Sequence, residues 1–294
     1  MRAHRHPAPT TDACGDSLLL SAGLTEPSWM GTAENATVSS DLGADGEAIV
    51  IVISVKRLRN VLRFGIGENA LERKRAEKRR AKQGRFASDA WHHVGRFARR
   101  SYASYEAYVE HQSSKLAGIL DHLRKTDAEE FEEFRERFAS CDALAGARSI
   151  LCLGARLGTE VRALHSLGHF AVGVDLAPGP DNLRVLYGDF HALVFSDASV
   201  DAVYSNALDH AFDLDRMAGE VLRVLRPGGC FVAEIDAGLD EGTLPGDFEA
   251  LCWTHVDALL ETISTGGRFE IEKVGPLRDT RRGLRRLVVF RKPR

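Results

Sequence analysis

A doubly wound α/β fold on a mostly parallel sheet follows from three features of this 294-residue chain. Ile150-Leu-Cys-Leu153 is a continuous apolar run, as expected of a strand buried on both faces. Gly154 to Gly158 then forms a glycine-bearing turn, and Thr159 to Leu164 continues as an amphipathic helix. Ala171-Val-Gly-Val-Asp175 is a second apolar run, ending in an acid. Strand, tight turn, helix and strand at this spacing make one crossover unit of a parallel sheet. The turn presents bare backbone N–H groups at a helix N-terminus. A carboxylate at the tip of the neighbouring strand can accept from both hydroxyls of a ribose. These features predict a nucleoside-containing cofactor over the carboxyl ends of the strands.

A dinucleotide is the wrong nucleoside for this turn. The nicotinamide and flavin fingerprint needs three glycines, the second allowing backbone to approach a diphosphate. Counted from Gly154, the second position is Arg156 and the third is Thr159. Gly154 and Gly158, with Asp175 beyond them, instead resemble the first motif and acidic second strand of the class I S-adenosylmethionine-dependent methyltransferases. Downstream runs strengthen the resemblance. Tyr187-Gly-Asp189-Phe190 through Asp201-Ala-Val-Tyr-Ser205-Asn206, then Leu208-Asp209-His210, look like the methyltransferase-11-like branch. So does Arg223-Val-Leu-Arg-Pro227-Gly-Gly229, turning into a fifth strand, and the likeness extends from Ala147 to Pro293.

The resemblance implies a Rossmann-like, mostly parallel seven-stranded sheet with an antiparallel last strand, and S-adenosylmethionine as cofactor. The last two strands would be Arg268–Val274 and Arg286–Arg291, paired antiparallel at the sheet edge. Gly154 and Gly158 would let backbone pass close to the cofactor's amino-acid part, and Asp175 would bind the ribose hydroxyls. Asp189 would accept from the adenine amino group, with Phe190 backing the ring. Asn206 and Ser205 would border the methionine part, while Asp201 serves to start its strand.

Three departures from the family pattern stand out. Cys152 replaces the acid that usually lies two residues before the first glycine, which removes one contact to the cofactor's amino group. Arg156 replaces the middle glycine; its guanidinium either pairs with the cofactor carboxylate or points to solvent. Leu176-Ala-Pro-Gly-Pro-Asp-Asn182 is too short and proline-rich for a crossover helix, so an irregular loop is expected there.

Alkylation by a sulfonium needs alignment first, and a base only for a weakly acidic acceptor. Asp209 and His210 follow the fourth strand, where His210 could take a proton and Asp209 orient it. The structural alternative is a loop pair, with Asp213 capping the next helix. No Asn-Pro-Pro-Tyr or Asp-Pro-Pro-Tyr run follows that strand, which disfavours amino groups of nucleic acids and leaves a small-molecule or glycan hydroxyl as the expected acceptor. Two alternatives stay open: a non-catalytic protein that binds S-adenosylmethionine, and an RNA-associated methyltransferase.

Composition bounds the class. The formal net charge is −3 and 44 % of residues are hydrophobic, which suits a globular domain and excludes a globally basic nucleic-acid binder. The five cysteines are widely spaced with no C-x-x-C pair, so neither a disulfide framework nor a metal site is expected, and a reducing, cytoplasmic setting is. No apolar run approaches the roughly 18 residues of a membrane span.

Four regions are expected. Residues 1–47, rich in Ala, Gly, Ser and Thr without periodicity, read as a disordered tail. Its early basic residues hint at an organellar transit segment, which the acids Asp12, Asp16 and Glu26 weaken. Residues 48–100 read as a basic, partly helical segment opened by the apolar run Ala48–Val55. From Lys56 to Arg100 there are 15 Lys and Arg against four acids, a surface suited to RNA phosphates or anionic lipid. Its interleaved aromatics fit a helix packed on the main domain. Residues 101–140 read as a two-helix cap, from which His111, Gln112 and Lys115 could reach the site, with surface placement the favoured alternative. Residues 141–294 form the expected catalytic domain, with a Gly/Asp-rich loop at 236–246 at the substrate mouth and a helix over Phe248–Ile263.

Overall fold

The computed structural model describes residues 35–38, 51–54, 72–84, 86–87, 90–279 and 283–294. They fall into two compact units, Met1–Leu71 and Glu72–Arg294. In the first, strand β1 (Asn35–Val38) pairs antiparallel with β2 (Ile51–Ser54). The expected tail thus contributes a strand, paired to the core of the Ala48–Val55 run. Cys14, residues 56–71 and the rest of the expected tail lie outside the described residues.

The second unit is organised by one seven-stranded sheet. Its strands are β5 (Ser149–Leu153), β6 (Phe170–Asp175), β7 (Val185–Tyr187), β8 (Val200–Ser205), β9 (Leu225–Asp236), β11 (Glu270–Asp279) and β12 (Gly283–Arg291). Their order is β11-β12-β9-β8-β5-β6-β7. From β9 to β7 all pairings are parallel, whereas β12 runs antiparallel to both β9 and β11. The expected sheet is therefore present, antiparallel edge included. The chain winds outward from β5 through β6 to β7, then returns to β8 on the other side. Ligands of such sheets sit beyond the carboxyl ends of the strands at this reversal.

Helices cover both faces. On one, α4 (Leu214–Val224) buries Leu214, Met217, Val221 and Val224, and α5 (Val256–Ser264) buries Leu259 and Ile263. At about 1.5–3 kcal/mol for each large side chain, this apolar stripe is what fixes α4 in place. Asp213 caps α4 by accepting from the Arg216 amide at 3.1 Å. The other face is covered by α3 (Thr159–Ser166) and α2 (Tyr105–Ala139). Phe134 and Phe138 of α2 lie edge-on to the fully buried Tyr204 of β8, as their spacing foretells.

Three expectations about local structure need correction. The cap is one 35-residue helix, not two. Lys125-Thr126-Asp127 does not break it, because Thr126 bonds back to the His122 carbonyl at 3.2 Å and Asp127 is tied to α3 by Thr159 (2.7 Å) and Arg162 (2.5 Å). Residues 72–84 do form a helix, α1, exposed along nearly its whole length. The aromatics after it, however, belong to a hairpin, β3 (Trp91–Val94) and β4 (Phe97–Arg100), joined at Gly95 with φ +58°. A third strand, β10 (Leu251–Trp253), pairs with β4. The expected helix from Phe248 thus begins only at Val256. The Leu176–Asn182 connection is an irregular loop, as expected.

Candidate active site

Two clefts meet over the carboxyl ends of β5, β6 and β8. The first encloses about 490 Å³, open to solvent. The sheet side supplies Gly154, Asp175, Phe190 and Ala207, and α2 supplies Tyr108 and Leu116. The second encloses about 1290 Å³ and is strongly polar. Glu160, Asn206, Asp209, Asp236, Glu249 and Arg285 line it. Gly154, Arg156, Lys115 and His210 border both.

Asp175 ends β6 with its carboxylate already oriented. Oδ2 accepts from the Arg156 amide at 3.0 Å and Oδ1 from the Ala177 amide at 2.7 Å. Each oxygen retains an acceptor position for a further donor. Gly154 adopts φ +76°, and a Cβ there would lie 2.6 Å from the Ala207 Cβ. Gly158 adopts φ +73° as the N-cap of α3, with Val185 3.0 Å from where its Cβ would be. Packing and backbone conformation thus require both glycines. Gly154 also faces the clefts, while Gly158 lines neither. Gly154→Ala should destabilise the domain by about 2–4 kcal/mol, adding a clash to left-handed strain. Gly95→Ala, also left-handed but with nothing within 4 Å, should cost about 1 kcal/mol. Equal losses by chemical denaturation would remove the argument from Ala207.

Asp189 and Phe190 part company. Phe190 lines the first cleft. Asp189 does not, because its carboxylate turns to α2. Oδ2 accepts from the Tyr105 hydroxyl, and Oδ1 from the His191 amide and Nδ1, both at 2.8 Å. The Asp213 amide donates to His191 Nε2 at 3.2 Å, so the ring proton sits on Nδ1, facing Asp189. These donors hold Asp189 below the usual carboxylate range despite its burial. Three of its roughly four acceptor positions are thus taken by Tyr105 and His191.

Asp209 and His210 both reach the second cleft, but not as an orienting pair. Asp209 Oδ1 lies 3.8 Å from His210 Nε2. The Phe248 carbonyl, 3.0 Å from Nδ1, orients the ring instead, because a carbonyl can only accept. Nε2 is then the acceptor for the Lys115 ammonium at 2.8 Å. Burial and that ammonium push His210 down to about 3, so it is a poor proton acceptor. Burial pushes Asp209 the other way, up from the usual carboxylate value.

Helix α2 brings His111, Gln112 and Lys115 to the cleft and not to the surface placement favoured for them. Lys115 holds His210, Gln112 donates to the Phe248 carbonyl at 2.7 Å, and His111 stacks on Phe248. The buried Tyr108 donates to the His210 carbonyl at 3.0 Å. The hairpin fixes the far wall: Arg100 donates to the carbonyls of Glu249 (2.8 Å) and Gly246 (3.0 Å), holding the 236–250 segment over the cleft. Loop residues Leu239, Thr243 and Leu244 line a recess of about 560 Å³ beside Asp209 and Lys82.

The first cleft sets the Tyr108 and Phe190 rings beside a carboxylate with free acceptor positions, the kinds of group a nucleoside would need. Arg156 stands where that cleft meets the polar one, which offers charges of both signs. Among the described residues no cluster of metal-ligating side chains occurs.

Residues 151–233 match the family model described as a methyltransferase domain. A malonyl-[acyl-carrier protein] O-methyltransferase of Methylococcus capsulatus is 47 % identical over 53 residues, 18 % of this chain and 19 % of that protein. A sterol 24-C-methyltransferase of Neurospora crassa is 44 % identical over 64 residues, 21 % of this chain and 16 % of that protein. The match thus spans less than a fifth of either relative. The Burkholderia thailandensis 1,6-didemethyltoxoflavin-N1-methyltransferase, solved with 1,6-didemethyltoxoflavin and S-adenosylhomocysteine, superposes with a TM-score of 0.54 at 18 % identity. That alignment covers 69 % of this chain and 99 % of the other, and establishes a shared fold.

Proposed function

We propose that this chain, a member of the class I S-adenosylmethionine-dependent methyltransferases, transfers a methyl group to a hydroxyl of a small molecule or glycan. The observation that carries this reading is the meeting of a nucleoside-shaped cleft and a polar cleft at Gly154 and Arg156. Asp175 would hold the ribose, and Phe190 and the Tyr108 side of α2 would enclose the base, whereas the Asp189 carboxylate, turned to Tyr105 and His191, would support Phe190 from behind. Arg156 and Asn206 would border the methionine part. Once bound, S-adenosylmethionine supplies a methyl group already activated by its sulfonium, so the protein's task is alignment and handling of one proton.

The acceptor's chemistry is read from the second cleft, since the named relatives act on unlike acceptors. Its lining is charged and hydrogen-bonding. Glu249 Oε2 is buried without a hydrogen-bond partner among the described residues, and would accept from a hydroxyl. Asp209 is the better base. It faces the cleft as an acid raised by burial, while the lone pair of His210 is held by Lys115. His210 becomes a positioning residue that carries Lys115 and the Phe248 wall.

Calorimetry should register S-adenosylhomocysteine binding, and labelled methyl groups should appear on hydroxylated acceptors. In Asp209→Asn, kcat should fall by about 10²–10³-fold while cofactor affinity stays within about twofold. Wild-type activity should be lost as the pH falls through the raised pKa of Asp209, because only the ionised acid accepts a proton. Full turnover in Asp209→Asn would remove the base assignment. Cofactor binding without transfer to any acceptor would favour a non-catalytic role.

RNA is the second acceptor reading. It is supported by α1, whose exposed basic surface ends in Lys82 at the edge of the second cleft. A gel shift that weakens steeply with salt would support it. We place the protein in a reducing cytoplasm on its described cysteines: 141, 152, 230 and 252 are free, and three are buried. No helix of the described residues is long and apolar enough to cross a membrane.

A further inference from the structure

We propose that Glu160 and Arg156 form a two-armed clamp for the amino-acid end of the cofactor, Glu160 taking its ammonium and Arg156 its carboxylate. This rests on the S-adenosylmethionine reading above, and supplies the contact that Cys152 cannot make.

Glu160 lies in the first turn of α3, two residues beyond Gly158, and is only 6 % exposed. Its carboxylate turns back to its own backbone amide. No side-chain hydrogen bond or ion pair to it occurs among the described residues. Yet it is not sealed in the core, because it walls the second cleft beside Gly154, Arg156 and Asn206. The groups whose charge it feels are Arg156 from the turn, Asp175 from β6 and Glu234 from β9. Its own charge is felt at the Cys152 thiol of β5 and the Tyr204 hydroxyl of β8.

The acid therefore reaches, from the helix side, the corner where Cys152 takes the place of the usual strand-end acid. Burial pushes it up to about 8. A buried carboxyl beside two acids and one cation is left short of positive charge, and an ammonium would make up the balance.

Arg156 completes the clamp from the other side. It holds φ +42°, a left-handed conformation that favours glycine. Three hydrogen bonds keep it there. Its amide donates to Asp175, and its carbonyl accepts from the Gly179 amide (3.1 Å) and the Asn182 side chain (2.9 Å). The turn is thus fixed by its backbone, which leaves the guanidinium at the junction of the clefts. An arginine and a glutamate four residues apart flank the place where a zwitterion joined to a nucleoside would lie.

The test compares two ligands on the intact protein. S-adenosylhomocysteine carries the zwitterion, whereas 5′-methylthioadenosine has the same nucleoside and thioether without it. By calorimetry, Glu160→Gln and Arg156→Ala should each weaken S-adenosylhomocysteine by about 30-fold, the worth of one buried charged contact. Both should leave 5′-methylthioadenosine within about twofold of wild type. Glu160→Gln should melt no lower than wild type, and Glu160→Met, which removes the polar group, should repeat its ligand pattern. An equal loss for both ligands, or none for either, overturns the clamp while the cofactor assignment stands. Wild-type protein that binds neither ligand overturns the cofactor assignment and the clamp with it.

Discussion

Asp175→Ala should weaken S-adenosylhomocysteine by about 10²–10⁴-fold, the largest change in affinity from any single truncation in the first cleft. The estimate rests on two charge-assisted hydrogen bonds to the ribose diol, each about 1.5–3 kcal/mol. A second loss accompanies the first. Asp175 also accepts from the amides of Arg156 and Ala177, so its carboxylate sets the path of the turn as well as the ribose site. Asp175→Asn separates the two. The amide oxygen can retain one backbone contact, but the charge is gone, so affinity should recover only in part. Because the carboxylate serves the nucleoside, 5′-methylthioadenosine should lose as much as S-adenosylhomocysteine, opposite to the pattern expected of Glu160→Gln. Binding of Asp175→Ala within about threefold of wild type would mean that the ribose lies elsewhere.

The sheet was readable because its signals are local. β5 and β6 are apolar runs and β8 is one but for Asp201 near its start, each closed by glycine, aspartate or serine at its carboxyl end. The β3–β4 hairpin was not readable. Its strands are four residues long and carry arginines on β4, and its partner β10 lies about 150 residues further on. Gly95 was the one local hint, a left-handed turn between Val94 and Arg96. The site divides in the same way. Gly154, Arg156 and Asp175 are neighbours in one crossover unit and were found together. Lys115 and Tyr105 act through contacts 95 and 84 residues away in sequence, which only packing of α2 creates. Glu160 was hidden for another reason. An acid in a first helical turn reads as a complement to the helix dipole, and nothing in the sequence betrays its burial.

Glu234→Leu should lower stability by about 3–5 kcal/mol, the largest stability loss expected here, because it strands buried cations. Glu234 is 2 % exposed on β9 and accepts from three donors: Arg137 of α2 at 2.7 Å, Arg285 of β12 at 2.9 Å and Tyr204 of β8 at 2.6 Å. Arg285, 4 % exposed, pairs with Asp236 at 2.6 Å as well as with Glu234. It sits opposite Asp236 in the β9–β12 register and reaches diagonally to Glu234, so the pair crosses the antiparallel seam. Arg137 extends the network to the cap helix. One carboxylate thus joins α2, β8 and β12 beneath the second cleft, whose wall the buried Arg285 helps to line. For a domain of this size the loss should appear as a fall in Tm of about 8–15 °C. Adding Arg285→Met to Glu234→Leu should restore part of it, since removing both charges is less harmful than leaving one behind. If the double variant melts below Glu234→Leu, Arg285 contributes through packing or Asp236, and the ion pair is not what holds the seam.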